Sequence, residues 1–404
     1  MCSPTLLKTV FKQADDRMRR MADIPEKFDG IRPYEDHELQ EVIDRLFDDS
    51  SFSRNLKYLL GHFPLWMFRL YLKLFRTIDS FQAGVVIPWL NRILKKQSGS
   101  LDFDFDALAK DRQDVLFISN HRDIVLDSAI LDRILLDQKK HSAHIAIGNN
   151  LLIYPWIEMI VRLNRSFIVN RSAEAQELLE SSRLLSEYIS YVITVRKMPV
   201  WIAQREGRAK DSNDRTQRSV LKMLAMSDSR SDVREALASL HICPLSISYE
   251  YDPCDWLKAQ EFQLKRDDPA YRKSKKDDLD NMRTGISGYK GHIHYYTSGP
   301  IDDEIMKIDA SLPRNVQLDR IAAIIDRHIF QGYRIYPCNR IALDMLRNSS
   351  SQSSLYTEEQ KNRFISYIDG QIAKISIPNP DVPFLKNCML TMYANPLINQ
   401  IECK

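Results

Sequence analysis

Glycine is scarce in this sequence, 12 residues in 404, which leaves little material for glycine-rich nucleotide loops. No G-x-x-x-x-G-K-[ST] run occurs, so nucleotide hydrolysis has no support. G-x-S-x-G is absent too, which weighs against a hydrolase working through an acyl-serine. The six cysteines (Cys2, Cys243, Cys254, Cys338, Cys388 and Cys403) lie far apart and form no C-x-x-C pair. A disulfide framework is therefore not expected, and a reducing compartment is. No stretch of 18 apolar residues exists, so no spanning helix is expected. The N-terminus mixes charge into every turn and has no apolar signal-peptide core, which predicts a chain on the cytosolic side. An excess of one charge is also missing: 57 Lys+Arg against 54 Asp+Glu leave +3, unlike a dedicated nucleic-acid binder.

What is present describes an ordinary soluble interior, 44% hydrophobic, with a mean hydropathy of −0.36. The length favours one core with appended segments over one oversized domain. Residues 1–60 read as an N-terminal helical segment. Residues 61–98 are crowded with Leu, Phe, Trp and Ile, and Arg69, Lys73 and Arg76 share one helical stripe. A second helix, broken near Pro88, ends in the basic run Arg92–Lys96. Such a pair suits amphipathic helices in a membrane interface, or helices packed on the next domain. SGSLDFDFDAL, at 98–108, reads as a linker. Over 99–305 short apolar runs alternate with helical stretches: Val115–Ser119, His144–Ile147, Ser166–Asn170, Pro199–Ala203, Ile242–Tyr249 and Gly291–Thr297. This predicts an α/β fold with a mainly parallel central sheet flanked by helices. Helical additions stand on both sides of it, the C-terminal one at 306–404. There, Thr357 to Gln360 reads as a capping box.

The chemistry concentrates at strand ends, where ligands gather in α/β sheets. Ile118-Ser119-Asn120-His121-Arg122-Asp123-Ile124-Val125-Leu126-Asp127 runs from an apolar strand into a polar turn and on into an apolar helix. A His backed by a carboxylate is what a general base needs, because the carboxylate fixes the tautomer and supports the imidazolium. The same residues also suit a His capping a helix beside a solvated Asp127. A second strand ends in Gln204-Arg205-Glu206-Gly207-Arg208-Ala209-Lys210. Its glycine permits close backbone approach, and its guanidiniums suit a phosphate. Ser166–Ser172 places Arg171 at a third strand end. Together they suggest an anionic substrate with a hydroxyl to deprotonate.

Four blocks in order, over roughly 115–300, resemble the glycerol-phosphate/lysophospholipid acyltransferase family. Asn120-His121 with a following Asp is similar to the family's catalytic His–Asp motif. Phe167–Ser172 is similar to its second block, which implies acceptor binding by Arg171. Glu206-Gly207-Arg208 is similar to its third block, which implies a hold on the acceptor phosphate. Cys243–Tyr249, containing Pro244, is similar to its fourth, attributed to acyl-donor binding or site structure. The family places its Asp five residues after the His, where this sequence has Leu126. Asp127 is the expected partner of His121, with one residue inserted in the turn, and Asp123 the expected helix cap.

The resemblance implies acyl transfer from an acyl-CoA or acyl-carrier protein to a glycerol-phosphate or lysophospholipid hydroxyl. It implies no cofactor beyond that thioester donor and no nucleic-acid partner. It places a peripheral protein on the cytoplasmic face of a membrane. Two other functions compete: a non-catalytic membrane scaffold, and an ester or thioester hydrolase using Ser119. His292 and His294 share a strand face but bring no third metal ligand. Tyr333–Asn339 receives no assignment.

Overall fold

The structure is a computed structural model that describes residues 24–170, 175–227 and 232–403. Helices α1 (Leu39–Asp48), α2 (Ser50–Leu60), α3 (Leu65–Leu72) and α4 (Ile87–Gln97) open the described chain. The i, i+3, i+4 spacing of Leu39, Val42, Ile43 and Leu46 gives α1 one apolar face, and this face is buried with Phe52, Leu72 and Phe81. Asp49 starts α2 by accepting from the Ser51 and Phe52 amides. Arg69 and Lys73 both pair with Asp44 of α1, at 2.5 and 2.7 Å, so two of the three cations in the expected stripe face a carboxylate. The expected break near Pro88 is a π turn, Gln82–Val86, with Pro88 in the first turn of α4, where its missing N–H leaves no partner unmet.

Among the described residues seven strands form one sheet, ordered β1-β7-β6-β2-β5-β3-β4. They are β1 (Ser100–Asp104), β2 (Leu116–Ser119), β3 (His144–Gly148), β4 (Ser166–Val169), β5 (Val200–Ala203), β6 (Ile242–Tyr249) and β7 (His292–Thr297). All neighbours are parallel except β6 and β7. The expected linker at 98–108 is in part an edge strand, because β1 pairs with β7, far away in sequence. Leu116 and Ile118 point to one face with Val200, Ile202 and Ile242. Phe117 points to the other with Trp201, Cys243 and Leu245. Side chains alternate along a strand, so a strand apolar throughout must be covered on both sides.

Helix α5 (Leu126–Asp137), with α4, covers the face of Phe117. Helix α6 (Pro155–Leu163) joins the N-terminal helices through Met159 and Leu163. Helices α7 (Ala175–Tyr191), α8 (Arg218–Leu224) and α9 (Val233–Ala238) cover the other face. Helices α10 (Asp255–Asp267) and α11 (Lys275–Ser287) are inserted between β6 and β7.

Helix α12 (Arg314–Gln331) contributes Leu318, Ile321, Ile325 and Ile329 to the same face as α7. Helices α13 (Pro337–Arg347), α14 (Glu358–Ile372) and α15 (Val382–Glu402) build a separate apolar cluster around Phe364, Leu385 and Met389. The capping box opens α14: Thr357 Oγ1 accepts from the Gln360 amide, and Gln360 Oε1 accepts from that of Thr357. This bundle docks on α10 through a buried carboxylate. Asp255 accepts from Tyr367 at 2.9 Å, Tyr393 at 2.8 Å and Gln371 at 2.6 Å.

Candidate active site

Parallel pairing decides which loops meet. Ser119 of β2 is in register with Ala203 of β5 and Leu245 of β6, so the segments after β2 and β5 leave the sheet side by side. The first bears His121 and the second Gly207 and Arg208. All three line one cavity of about 2130 Å³. Drug-sized ligands fill roughly 300–1,000 Å³, so this space suits something larger. Its far walls are apolar and include Phe52, Leu56, Phe68, Phe81 and Trp156 from the N-terminal helices and α6.

The turn after β2 is fixed at most of its residues. Asn120 is fully buried, and its carboxamide donates to the Ile247 carbonyl and accepts from the Ile247 amide, both at 2.8 Å. It clips the turn to β6 and is not on the cavity wall. His121 Nδ1 lies 2.8 Å from Asp127 Oδ2. That oxygen also accepts from the amides of Arg122 at 2.6 Å and Asp123 at 3.0 Å. Asp127 Oδ1 accepts from the Tyr249 hydroxyl at 3.0 Å, and the Tyr295 hydroxyl donates to its backbone carbonyl at 3.0 Å. Asp127 is wholly buried in the first turn of α5. With Nδ1 engaged, Nε2 is the ring nitrogen left for a substrate. Trp201 packs against the imidazole, ring centres 5.6 Å apart.

Asp123 takes the other role. Its Oδ1 accepts from the Val125 and Leu126 amides at 2.9 and 2.8 Å, which starts α5. Burial, then the nearby Asp127 charge, pushes its carboxyl up. Asp127, six residues after His121, is the carboxylate that meets the imidazole.

Gly207 has φ +68°, a left-handed conformation that a side chain disfavours. Glu206 is exposed, and its amide donates to Gln217 Oε1 at 2.8 Å. Arg208 Nη2 donates to Asn281 Oδ1 at 3.0 Å. Its Nη1 is buried with no hydrogen-bond partner among the described residues. Pro244 is buried in β6 opposite Ile118 of β2, beside the point where pairing with β7 begins. It too stands off the cavity wall. Arg171 lies outside the described residues. Ser119 Oγ is committed: it donates to the Asn120 carbonyl at 2.7 Å and accepts from Trp201 Nε1 at 3.0 Å, both within the protein interior.

Several residues of the site escaped the sequence reading. Tyr249 closes the fourth block and Tyr295 stands on the strand of His292 and His294, but neither was singled out as a partner of Asp127. Arg122 is buried, pairs with Asp214 at 2.7 Å and lies 5.7 Å from the Tyr333 ring centre. Tyr333, which received no assignment, donates to the same Asp214 oxygen at 2.8 Å. The one available signal was the crowding of charged and aromatic residues around otherwise apolar strands.

Residues 103–248 match the family model described as Acyltransferase. That span, about a third of the chain, is what is similar to the family. The blocks from Asn120 through Ser248 fall inside the matched span. No curated protein matches the chain. Its structure is similar to the crystal structure of the 1-acyl-sn-glycerophosphate (LPA) acyltransferase PlsC from Thermotoga maritima. The identity is 11%, the likeness covers 72% of this chain and 95% of that one, and the TM-score is 0.34.

Proposed function

We propose that this acyltransferase moves a fatty acyl group from an acyl-CoA or acyl-carrier-protein thioester to a hydroxyl of a glycerol-phosphate or lysophospholipid acceptor. The observation that carries the reading is that the His121–Asp127 pair stands on the same cavity as Arg208, whose buried Nη1 has no hydrogen-bond partner among the described residues. Nε2 of His121 takes the hydroxyl proton as the oxygen attacks the thioester carbonyl. The tetrahedral intermediate collapses, the C–S bond breaks, and the thiolate recovers the proton from the imidazolium. The new C–O bond is the ester. Asp127 holds the tautomer and supports the transient positive charge. General base catalysis contributes about 10²–10⁴-fold, so positioning supplies much of the rest. Arg208, Glu206 and the backbone at Gly207 hold the acceptor's head group, with Arg171 assigned to the same task by the second block. Asn120 and Pro244 act by fixing the sheet behind the catalytic turn.

The acyl chain of the donor and of the ester product makes them amphiphiles, as is a lysophospholipid acceptor, so the protein works at a membrane surface, on the cytoplasmic face. The exposed Trp66, Leu70 and Leu74 on and beyond α3 support this. No helix among the described residues is long and apolar enough to cross a membrane. Purified protein with a radiolabelled acyl thioester tests the reading. Ester formation that needs the acceptor and disappears in His121→Ala supports it. Free fatty acid released regardless of acceptor would assign a hydrolase instead, and no turnover at all a scaffold.

A further inference from the structure

Helix α11 lies beyond the matched domain, yet it is pinned to the catalytic turns at several points. Gly285 packs on Asp123 so closely that a Cβ there would stand 2.2 Å from Asp123 Oδ2. Gly288, just past the helix, approaches Pro253 in the same way, at 2.3 Å. Cys254 Sγ meets the Asn281 carbonyl at 3.3 Å. Asn281, one turn before Gly285, is buried, and its side chain is oriented from both ends. Nδ2 donates back to the Asp277 carbonyl at 2.8 Å, which turns Oδ1 toward Arg208 Nη2, 3.0 Å away. Asn281, Met282 and Ile286 of the same helix line the cavity.

A guanidinium has two terminal nitrogens. Here a neutral oxygen holds one, and the other is buried beside Cys254 without an oxygen to accept from it among the described residues. A carboxylate in place of Asn281 would fix the arginine equally well, but it would neutralise the charge meant for a ligand. A neutral amide fixes the plane without adding a third carboxylate to Asp252 and Asp123, which already lie near the guanidinium. We propose that Asn281 is a positioning residue for acceptor binding: it aims Arg208 Nη1 at the acceptor's phosphate, and α11 forms the wall of that subsite. This rests on the reading that Arg208 binds the phosphate.

The test is steady-state kinetics on the full chain, with lysophosphatidate or glycerol 3-phosphate as acceptor and inorganic phosphate as competing anion. Asn281→Ala should raise the acceptor KM about tenfold, the order expected for losing one hydrogen bond to a charged group. The donor KM and kcat should hold, and phosphate should inhibit more weakly. Because both residues act through one contact, adding Asn281→Ala to Arg208→Ala should raise the KM no further. If Arg208→Ala leaves the acceptor KM unchanged, the phosphate-binding reading fails. If Arg208→Ala raises it but Asn281→Ala does not, or if the two effects multiply, the role of Asn281 fails and the reading stands. Should Asn281→Ala not fold, Asn281→Asp keeps the oxygen. It should melt near the native temperature but raise the acceptor KM, and an unchanged KM in that variant also overturns the inference.

Discussion

Tyr249 donates its hydroxyl to Asp127 at 3.0 Å across a sequence separation of 122 residues. The carboxylate behind the imidazole is thus held from two sides: its own turn supplies amides to one oxygen, and β6 supplies a phenol to the other. Asp127→Asn should lower kcat by about 10²–10⁴-fold, because the amide no longer supports the imidazolium. Tyr249→Phe should lower kcat by about tenfold at most, with the acceptor KM unchanged. Asp123→Asn, in contrast, keeps the oxygen that starts α5 and should retain near-native activity. Initial rates of the three variants check the assignment, and an active Asp127→Asn would overturn it.

The pairing of Arg122 with Asp214 is a stability claim. Both side chains are buried, at 2.7 Å from one another. Removing one partner leaves the other charge uncompensated in a low dielectric. Arg122→Met should therefore destabilise by about 3–5 kcal/mol, whereas exchanging both, Arg122→Met with Asp214→Leu, should recover much of that. Urea unfolding midpoints decide between them.

Asp255 makes the docking of the C-terminal bundle dependent on pH. Burial, with the neighbouring Asp252, pushes its carboxyl up to about 7, against the pull of the Tyr393 and Tyr367 hydroxyls. The folded protein therefore keeps a proton that the unfolded chain releases above its ordinary value of 3.8. This contribution is full below that value and is lost as pH rises toward about 7. One such proton gives a slope of about 1.4 kcal/mol per pH unit within the window. Asp255→Asn should flatten it, and stability measured across that range reads the change.

The exposed apolar side chains around α3 predict a surface effect separable from folding. Trp66 and Leu70 are 68% and 60% exposed, so replacing both with Ser should change stability by no more than about 0.5 kcal/mol each. Sedimentation with phospholipid vesicles should fall markedly. Unchanged vesicle binding would remove these residues from the membrane face.

Sequence patterning reaches some of this site and misses the rest for physical reasons. Ile118 to Asp127 is readable because strand, turn and helix are contiguous, so apolar periodicity and polar turn residues report local conformation. Tyr249 and Asn281 are invisible to such reading, since their meaning lies in partners reached only when the sheet forms. β1 was hidden because Ser, Gly and Asp mark loops locally, while its partner β7 begins at His292. Arg69 and Lys73 read as a cationic stripe since a sequence shows the spacing but not the Asp44 carboxylate opposite. Gly207 was legible for the opposite reason: the lack of a side chain, which permits close backbone approach and the positive φ found there, is a property of the residue itself.

The contact between Tyr333 and Asp214 sets a point in time as well as in space. All four blocks that resemble the family's have been synthesised by Tyr249, yet Arg122, next to His121, shares its carboxylate with a phenol made 84 residues after that. A nascent chain halted before Tyr333 would carry the whole signature and leave the turn around His121 short of a restraint. The turn is thus completed only when the sheet has been joined by the segment synthesised after it.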